Sequence, residues 1–457
     1  VNSGIFSTKA FWAAVLVLLV AGTLVHPYMA QQASRYALTA AVVERGTVQL
    51  DAYERVLGID KAAKDGHLYS DKAPGQPLLA VPFFAVGKLF GVEDATILRI
   101  DGNLGLWWVT FWCSSFAGAL LVVLMIRRAT VVEPEAGVAP VLAVFFGTML
   151  LPFSALLFGH VTAAAFLFAS YVCLEARPHP AGWRRATLAG LFAGLAVLTE
   201  YTAALGVIVL FGVVLWRHRR SWWQFVAGGV PPALVLGVYN HVAFGAWYRL
   251  SYQYTAFSGV RSEPEHILSI FTVPALDNLV ALFFHGRGLV VATPIVLVAV
   301  ASAIGGLRRR DVDAVVGSAM FLVFLLIPVF WDNPWGGESP GPRYMTPMLP
   351  FLVVPAARAW RRWRVLSTAT AAISVLTTAS ATVTNPFITR HDPAGLGYWV
   401  REMAEGRFAP TLFTMTAGTV GWLLHAALIV GAMSMVLAAR NSGRVLGARH
   451  AYPEGGS

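Results

Sequence analysis

The residues that could do chemistry gather in a few short segments. His160 closes LPFSALLFGH, Glu200 and Tyr201 follow an apolar run, Arg287 lies in FFHGRG, and Arg343 and Tyr344 end DNPWGGESPGPRY. The longest polar stretch begins near Gln31 and carries Gln32, Arg35, Tyr36, Asp51, Asp65, Tyr69, Asp71 and Lys72. All of these segments lie between apolar runs and, by the charge pattern described below, on one side of them. Ionisable groups beside hydrocarbon are costly unless they serve a polar ligand or one another. Their gathering suggests a site for a polar substrate next to a lipid. Each also has a plain structural reading. Trp247, Tyr248, Tyr252 and Trp335 suit an interfacial aromatic belt, and His160 suits a helix end. Arg287 and Arg343 sit among glycines and prolines that expose backbone, which leaves a binding and a structural role both open.

Composition says which elements must hold these segments. Of 457 residues, 57% are hydrophobic and 13% charged, about half the charged share of a soluble domain. Apolar runs recur at roughly 10–30, 103–126, 137–152, 158–175, 187–200, 202–216, 222–244, 288–306, 313–331, 345–359, 365–384 and 412–438. They predict an all-α polytopic membrane protein of about 12 transmembrane helices, a single membrane domain over 1–457. The run at 10–30 is too long for a signal-peptide core and reads as a retained first span. Cys113 and Cys173 lie in separate runs without metal-ligand spacing and read as inert core residues.

One further run, 77–92, decides the topology. If it spans, most arginine clusters fall outside; if it lies along the surface, all fall on one side. Those clusters are Arg127/Arg128, Arg184/Arg185, Arg217/Arg219/Arg220, Arg308–Arg310, Arg358/Arg361/Arg362/Arg364 and the tail arginines. The positive-inside rule selects the second arrangement, and Pro77, Pro82 and Lys88 also suit an interfacial helix. Both termini are then cytoplasmic in a bacterial inner membrane, and the polar segments face outward. The net charge of +10 becomes a membrane-orientation signal, and no nucleic-acid partner is expected.

The first outer loop, 31–102, is far longer than any cytoplasmic connection. Ser34, Leu38, Ala41, Val42 and Val48 predict an amphipathic helix ending near Gly46, so the loop is structured. It contains Ser34-Arg35-Tyr36 and, about 35 residues later, Tyr69-Ser70-Asp71-Lys72-Ala73-Pro74-Gly75. These segments resemble the first periplasmic loop of the GT-C glycosyltransferases (glycosyltransferase family 39-like), especially the protein O-mannosyltransferase and lipid A aminoarabinose transferase superfamily. Those enzymes place an acidic-x-x-Arg-Tyr helix after the first span, then a Tyr-x-acidic-Lys-Pro-Pro turn, a juxtamembrane helix and the second span. The likeness in layout extends over a module at 1–245, while 246–457 reads as variable C-terminal helices with a GPRY outer loop.

The resemblance implies a polyprenyl-phosphate-linked sugar donor, used on the outer face, and an acceptor that is a lipid, glycan or protein. It implies that Lys72, Tyr69 and Arg35 hold the donor phosphate. It also implies a carboxylate that takes the acceptor's proton in a single inverting displacement. The family's acidic residue lies three positions before the arginine, where this chain has Gln32, which cannot act as a base. Asp71, beside Lys72, is the first substitute, followed by Asp51 and Asp65; next come His160, if the second outer loop folds over the first, or Glu200. Asp71 equally suits a turn-former in SDKAPG. Neighbouring side chains on an extended turn also point apart, so Asp71 would face away from a donor held by Lys72. Some family members use a divalent cation; with no Asp-x-Asp or His-x-x-x-His cluster, none is assigned here. Two other classes compete. A transporter or flippase would show inverted repeats and mid-membrane charges, and a non-catalytic assembly subunit would explain Gln32.

Overall fold

A backbone in hydrocarbon must satisfy its own N–H and C=O groups, and a helix does so within one segment. The computed structural model describes residues 7–92, 103–176, 181–255, 274–331, 333–388 and 395–439, and its apolar runs are helical. The first part of the chain forms α1 (Thr8–Val20), α2 (Ala30–Arg45), α3 (Glu54–Leu57), a hairpin of β1 (Ala62–Lys64) and β2 (His67–Tyr69), and α4 (Gly75–Leu89). There follow α5 (Leu104–Thr110), α6 (Phe116–Val132), α7 (Ala139–Phe146), α8 (Leu150–Ser154), α9 (Gly159–Glu175), α10 (Trp183–Thr199), α11 (Ala203–Arg217) and α12 (Trp222–Phe244). The remainder forms α13 (Leu276–Phe284), α14 (Pro294–Leu307), α15 (Val312–Phe330), α16 (Val353–Arg362), α17 (Arg364–Val383), α18 (Leu396–Ala404) and α19 (Leu412–Ala438).

Among the described residues, five helical runs are long and apolar enough to cross a membrane: Leu104–Val132, Arg219–Phe244, Val312–Phe330, Arg364–Val383 and Leu412–Ala438. Thr8–Val20, Gly159–Glu175, Ala203–Arg217 and Pro294–Leu307 are shorter apolar helices. Several expected spans are not continuous α-helices; 103–126, for one, passes through a π-helical turn at Phe111–Ser115. The run 10–30 leaves the helix after Val20, and Leu24 then pairs with Thr411 as an antiparallel bridge. The run 137–152 divides at Gly147 into α7 and α8. The run 345–359 begins as a 3-10 helix, Arg343–Leu352, because Pro347 and Pro350 bring no N–H to an α-helical ladder.

Small residues bring the helices together. A Cβ at Gly190 of α10 would fall 1.8 Å from the Phe225 carbonyl oxygen, and one at Gly228 of α12 would fall 2.0 Å from that of Thr187. Only glycine permits this approach, which replaces the missing hydrophobic drive between helices in lipid.

The two ends of the bundle differ in chemistry. At one end Arg128 forks onto Asp313 (2.9 and 2.8 Å), which also accepts from Tyr171 at 2.8 Å. Nearby, Arg358 bonds Glu133 and Asp311, each at 2.9 Å. The described arginine clusters collect here; the tail arginines and Asp94 lie outside the described residues. The other end carries the first loop. As predicted, α2 stops at Gly46 in a left-handed conformation (φ 63°). The helix expected at 77–92 is α4, whose 15 residues span about 22 Å, short of a bilayer core. Leu79, Val86, Leu89 and Phe90 on or just beyond it are exposed apolar side chains.

The first and last described helices are stitched together at this end. The Val25 N–H donates to the Pro410 carbonyl (2.8 Å) and the Leu412 N–H to the Thr23 carbonyl (3.0 Å). His425 Nε2 lies 3.1 Å from Thr23 Oγ1 and 2.7 Å from the Leu19 carbonyl oxygen.

Candidate functional site

The first loop, the end of α10, the start of α9 and the segment before Arg343 enclose a cavity of about 700 Å3. Arg35, Asp60, Asp71, Lys72, His160, Glu200, Glu338 and Arg343 give it charge or polarity, and Phe158, Tyr252, Trp331, Tyr344 and Phe387 give it aromatic faces.

Local bonds set each side chain. Arg35, one turn after Gln31 on α2, donates through Nη1 to the Gln31 carbonyl (2.9 Å) and to its Oε1 (3.2 Å). The SDKAPG turn is pinned to α2 by the Ser34 and Ser70 hydroxyls, 2.8 Å apart, and its Lys72 N–H donates to Ser70 Oγ at 3.2 Å. From the far side, the Ser251 hydroxyl donates to the Asp71 carbonyl at 2.9 Å. The turn ends at Gly75, where a Cβ would lie 2.5 Å from the Leu198 carbonyl oxygen, so glycine alone lets α4 begin against α10. Gly159 does the same for α9, since its Cβ would meet the Thr199 carbonyl oxygen at 2.6 Å.

The expected divergence of Asp71 and Lys72 does not occur. The turn curls so that Lys72 Nζ lies 2.6 Å from Asp71 Oδ2 and 2.8 Å from Asp60 Oδ1. Burial pulls the Lys72 ammonium down, but Asp60 and Asp71 together outweigh it and hold its pKa above the ordinary value. Burial raises the Asp71 carboxyl above its usual range, with Lys72 opposing. Burial likewise lowers the Arg35 guanidinium, with Glu200 opposing. Glu200 Oε2 lies 3.7 Å from Arg35 Nη2 and 3.4 Å from His160 Nδ1. Arg343 is 4% exposed, and its Nε and Nη1 have no hydrogen-bond partner.

Several sequence candidates do not line the cavity. Gln32 braces two loops, its Oε1 accepting from the Leu157 N–H (2.9 Å) and its Nε2 donating to the Pro27 carbonyl (3.2 Å). Asp51, expected as an alternative base, is bound to the hairpin through His67 Nδ1 (2.8 Å) and the Leu68 N–H (2.7 Å). Asp65 (φ 52°) and Gly66 (φ 83°) form the hairpin's tight turn. Tyr69 packs on Phe244 at 5.5 Å between ring centroids, and Tyr36 on Phe84 at 5.4 Å. Tyr201 reaches Ser251 at 3.4 Å and so supports the Asp71 turn from behind. Arg287 knots two loops together, donating to the Ser339 and Ile388 carbonyls at 2.9 and 3.1 Å, with Trp335 4.8 Å from its guanidinium. Conversely, sequence reasoning misses Asp60: it follows Leu57-Gly58-Ile59, and only the folded loop carries it to Lys72. Among the described residues, no group of three or more His, Cys, Asp or Glu side chains is arranged to hold a metal ion.

This helical bundle, whose long first loop folds over a charged cavity, shares its fold with solved structures of GT-C glycosyltransferases. Within that fold the chain is similar to ArnT, the lipid A aminoarabinose transferase, from Cupriavidus metallidurans, solved in the apo state and bound to undecaprenyl phosphate. The TM-score is 0.53 at 16% identity, covering 94% of this chain and 74% of that one. The Archaeoglobus fulgidus oligosaccharyltransferase AglB, solved in the apo form and with an inhibitory peptide and a dolichol-phosphate, gives TM-scores of 0.41 and 0.42 at 12% and 13% identity. Those matches cover 92% of this chain and 59% of AglB. Neither a family model nor a curated protein matches the sequence.

Proposed function

We propose that this chain is a multi-pass inner-membrane glycosyltransferase of about 12 spans whose cavity opens on the extracytoplasmic side. It moves a sugar from a polyprenyl-phosphate donor to a lipid, glycan or protein acceptor. The observation that carries the reading is the meeting of Arg35, Lys72 and Arg343 with Asp71 and Glu200 in one cavity, at the end of the bundle opposite the arginine clusters. In the reaction, an acceptor hydroxyl attacks the anomeric carbon while the bond from that carbon to the phosphate oxygen breaks. The hydroxyl proton passes to a carboxylate, and the polyprenyl phosphate leaves as an anion that the cations stabilise. Asp71 and Glu200 are the two carboxylates placed for the proton. Asp71 is tied to Lys72 at 2.6 Å, whereas Glu200 keeps only the longer contacts at 3.4 and 3.7 Å, which favours Glu200.

The test is release of undecaprenyl phosphate from a panel of undecaprenyl-phosphate sugars by membranes containing the chain. Glu200→Gln should cost at least a hundredfold, and Asp71→Asn less. Donors that bind without any release by the wild type would instead support a non-catalytic subunit, the reading that Gln32 favours by serving as a brace rather than an acid.

A further inference from the structure

The bundle end opposite the first loop holds a second cavity, of about 570 Å3, between α14 and α16. On the α14 side its lining is small: Ala301, Ser302, Gly305 and Gly306 recur one turn apart on one helical face. On the α16 side it is basic. Arg358, Arg361 and Arg362 are spaced three and four residues apart, so their side chains leave the helix together. Arg309, just past the end of α14, and Trp363, just past the end of α16, complete the lining.

One glycine keeps this space open. A Cβ at Gly306 would meet Ala314 Cβ at 2.6 Å, so that glycine lets α14 approach α15, whereas a Cβ at Gly305 would meet nothing within 4 Å. Glycine in a helix interior destabilises it relative to alanine, and close packing does not explain its use at 305. The charges around the space do not balance either. Four arginines line it against two carboxylates, Glu133 and Asp311. Arg358 bonds both, each at 2.9 Å, and Arg361 shares Glu133 at 3.0 Å and adds Glu135 at 2.8 Å. Arg309 and Arg362 are exposed and form no ion pair among the described residues. The Arg362 guanidinium carbon lies 5.1 Å from the Trp363 ring centroid.

Apolar side chains flank these cations. Ile304 and Leu307 of α14 and Val365 and Leu366 of α17 are all exposed, Val365 by 85%. A ligand that joins a phosphate to hydrocarbon chains satisfies both surfaces at once, with the half-buried Trp363 at the boundary.

We propose that this cavity binds an anionic phospholipid, its phosphodiester taken by Arg309 and Arg362 and its acyl chains lying along α14 and α17. The lipid offsets the excess positive charge, and its headgroup occupies the space over Gly305. It thereby ties the turn between α14 and α15 to α16. The site is separate from the cavity beneath the first loop and does not depend on the glycosyltransferase reading.

The full chain, purified in a nonionic detergent, is titrated with phosphatidylglycerol or with phosphatidylcholine of the same acyl chains, and bound lipid is counted by native mass spectrometry. Phosphatidylglycerol binds roughly tenfold or more tightly than phosphatidylcholine. Arg309→Gln with Arg362→Gln weakens it roughly fivefold for each arginine, about thirtyfold for both, and leaves phosphatidylcholine unaltered. Arg219→Gln with Arg220→Gln removes the same charge from the same end, outside the cavity, and changes binding little. Gly305→Leu keeps every charge, fills the cavity and weakens phosphatidylglycerol as the arginine pair does. Equal affinity for the two lipids overturns the proposal. An Arg219/Arg220 variant that loses as much as the Arg309/Arg362 variant also overturns it, by reducing the effect to diffuse attraction. So does wild-type affinity in Gly305→Leu, which decides the matter even if the arginine variant fails to fold. Displacement of phosphatidylglycerol by glycerol phosphate at equal concentration would put a soluble phosphate in the cavity and overturn the lipid assignment.

Discussion

Lys72 and Asp71 are neighbours in sequence, yet their charged ends meet at 2.6 Å, with Asp60 closing the group from 12 residues away. Such a buried group is balanced only while all its members are present. Lys72→Met leaves two buried carboxylates facing each other and should cost about 3–5 kcal/mol of stability, as breaking a buried pair does elsewhere. Adding Asp71→Asn should restore part of it. Unfolding of the three proteins in one detergent checks this, and an unaltered Lys72→Met would contradict the cage.

The pH dependence follows from the direction of the Lys72 shift. A cation whose folded pKa lies above the ordinary 10.5 contributes stability that is fully present below pH 10.5 and is lost as pH rises through the folded value. The difference in unfolding temperature between wild type and Lys72→Met should therefore hold constant from pH 7 to about 10 and shrink only above 10.5. Shrinkage already at pH 9 would show that the carboxylates do not hold the proton.

Gln32→Glu tests whether the missing acid can simply be put back. The glutamate keeps an acceptor for the Leu157 N–H but cannot donate to the Pro27 carbonyl, 3.2 Å from the present amide nitrogen. Two acceptors then face each other, which should destabilise the loop by about 1–3 kcal/mol, and undecaprenyl phosphate sugar turnover should not rise. A gain in turnover would mean that the side chain reaches the cavity after all.

Gly75→Ala probes the seam between the site and the bundle. With its Cβ at 2.5 Å from a backbone oxygen, α4 must move, and overpacking of this kind costs about 1–3 kcal/mol. Because the turn carrying Asp71 and Lys72 leads directly into α4, phosphate binding should weaken along with stability. Melting and binding measured on the same sample separate this from a purely local effect.

Orientation is checked by labelling introduced cysteines in a background where Cys113 is buried and Cys173 half-buried. Gly66→Cys, in the exposed hairpin turn, should react with an impermeant reagent from outside, and Arg309→Cys only after the membrane is opened. The reverse pattern would invert the topology.

What could be read in the sequence was local. The α2 helix and its stop at Gly46 follow from apolar spacing and one glycine. The approach of Arg35 to the Asp71–Lys72 turn follows from two short motifs in one loop. The Asp65-Gly66 pair is a hairpin signal, and a reading of Asp65 as a base passes over it. What could not be read depends on distance along the chain. Asp60 reaches Lys72 only once β1 and β2 have folded back, and Arg343 meets Phe158 across 185 positions of sequence. The breaks in 10–30 and 137–152 arise because the freed backbone finds partners elsewhere, as Leu24 does at Thr411, and hydropathy does not register such partners.

The bonds between Thr23–Val25 and Pro410–Leu412 join residues about 400 positions apart in sequence. Everything in the first loop hangs from the segment that these bonds fasten. During synthesis at about 5–20 residues per second, that segment waits tens of seconds for its partner to be made. The loop that carries Arg35, Asp71 and Lys72 is therefore among the earliest parts of the protein to be synthesised and among the last to have its anchor closed, so a membrane insertion fault anywhere before α19 would leave the cavity's own wall unfastened.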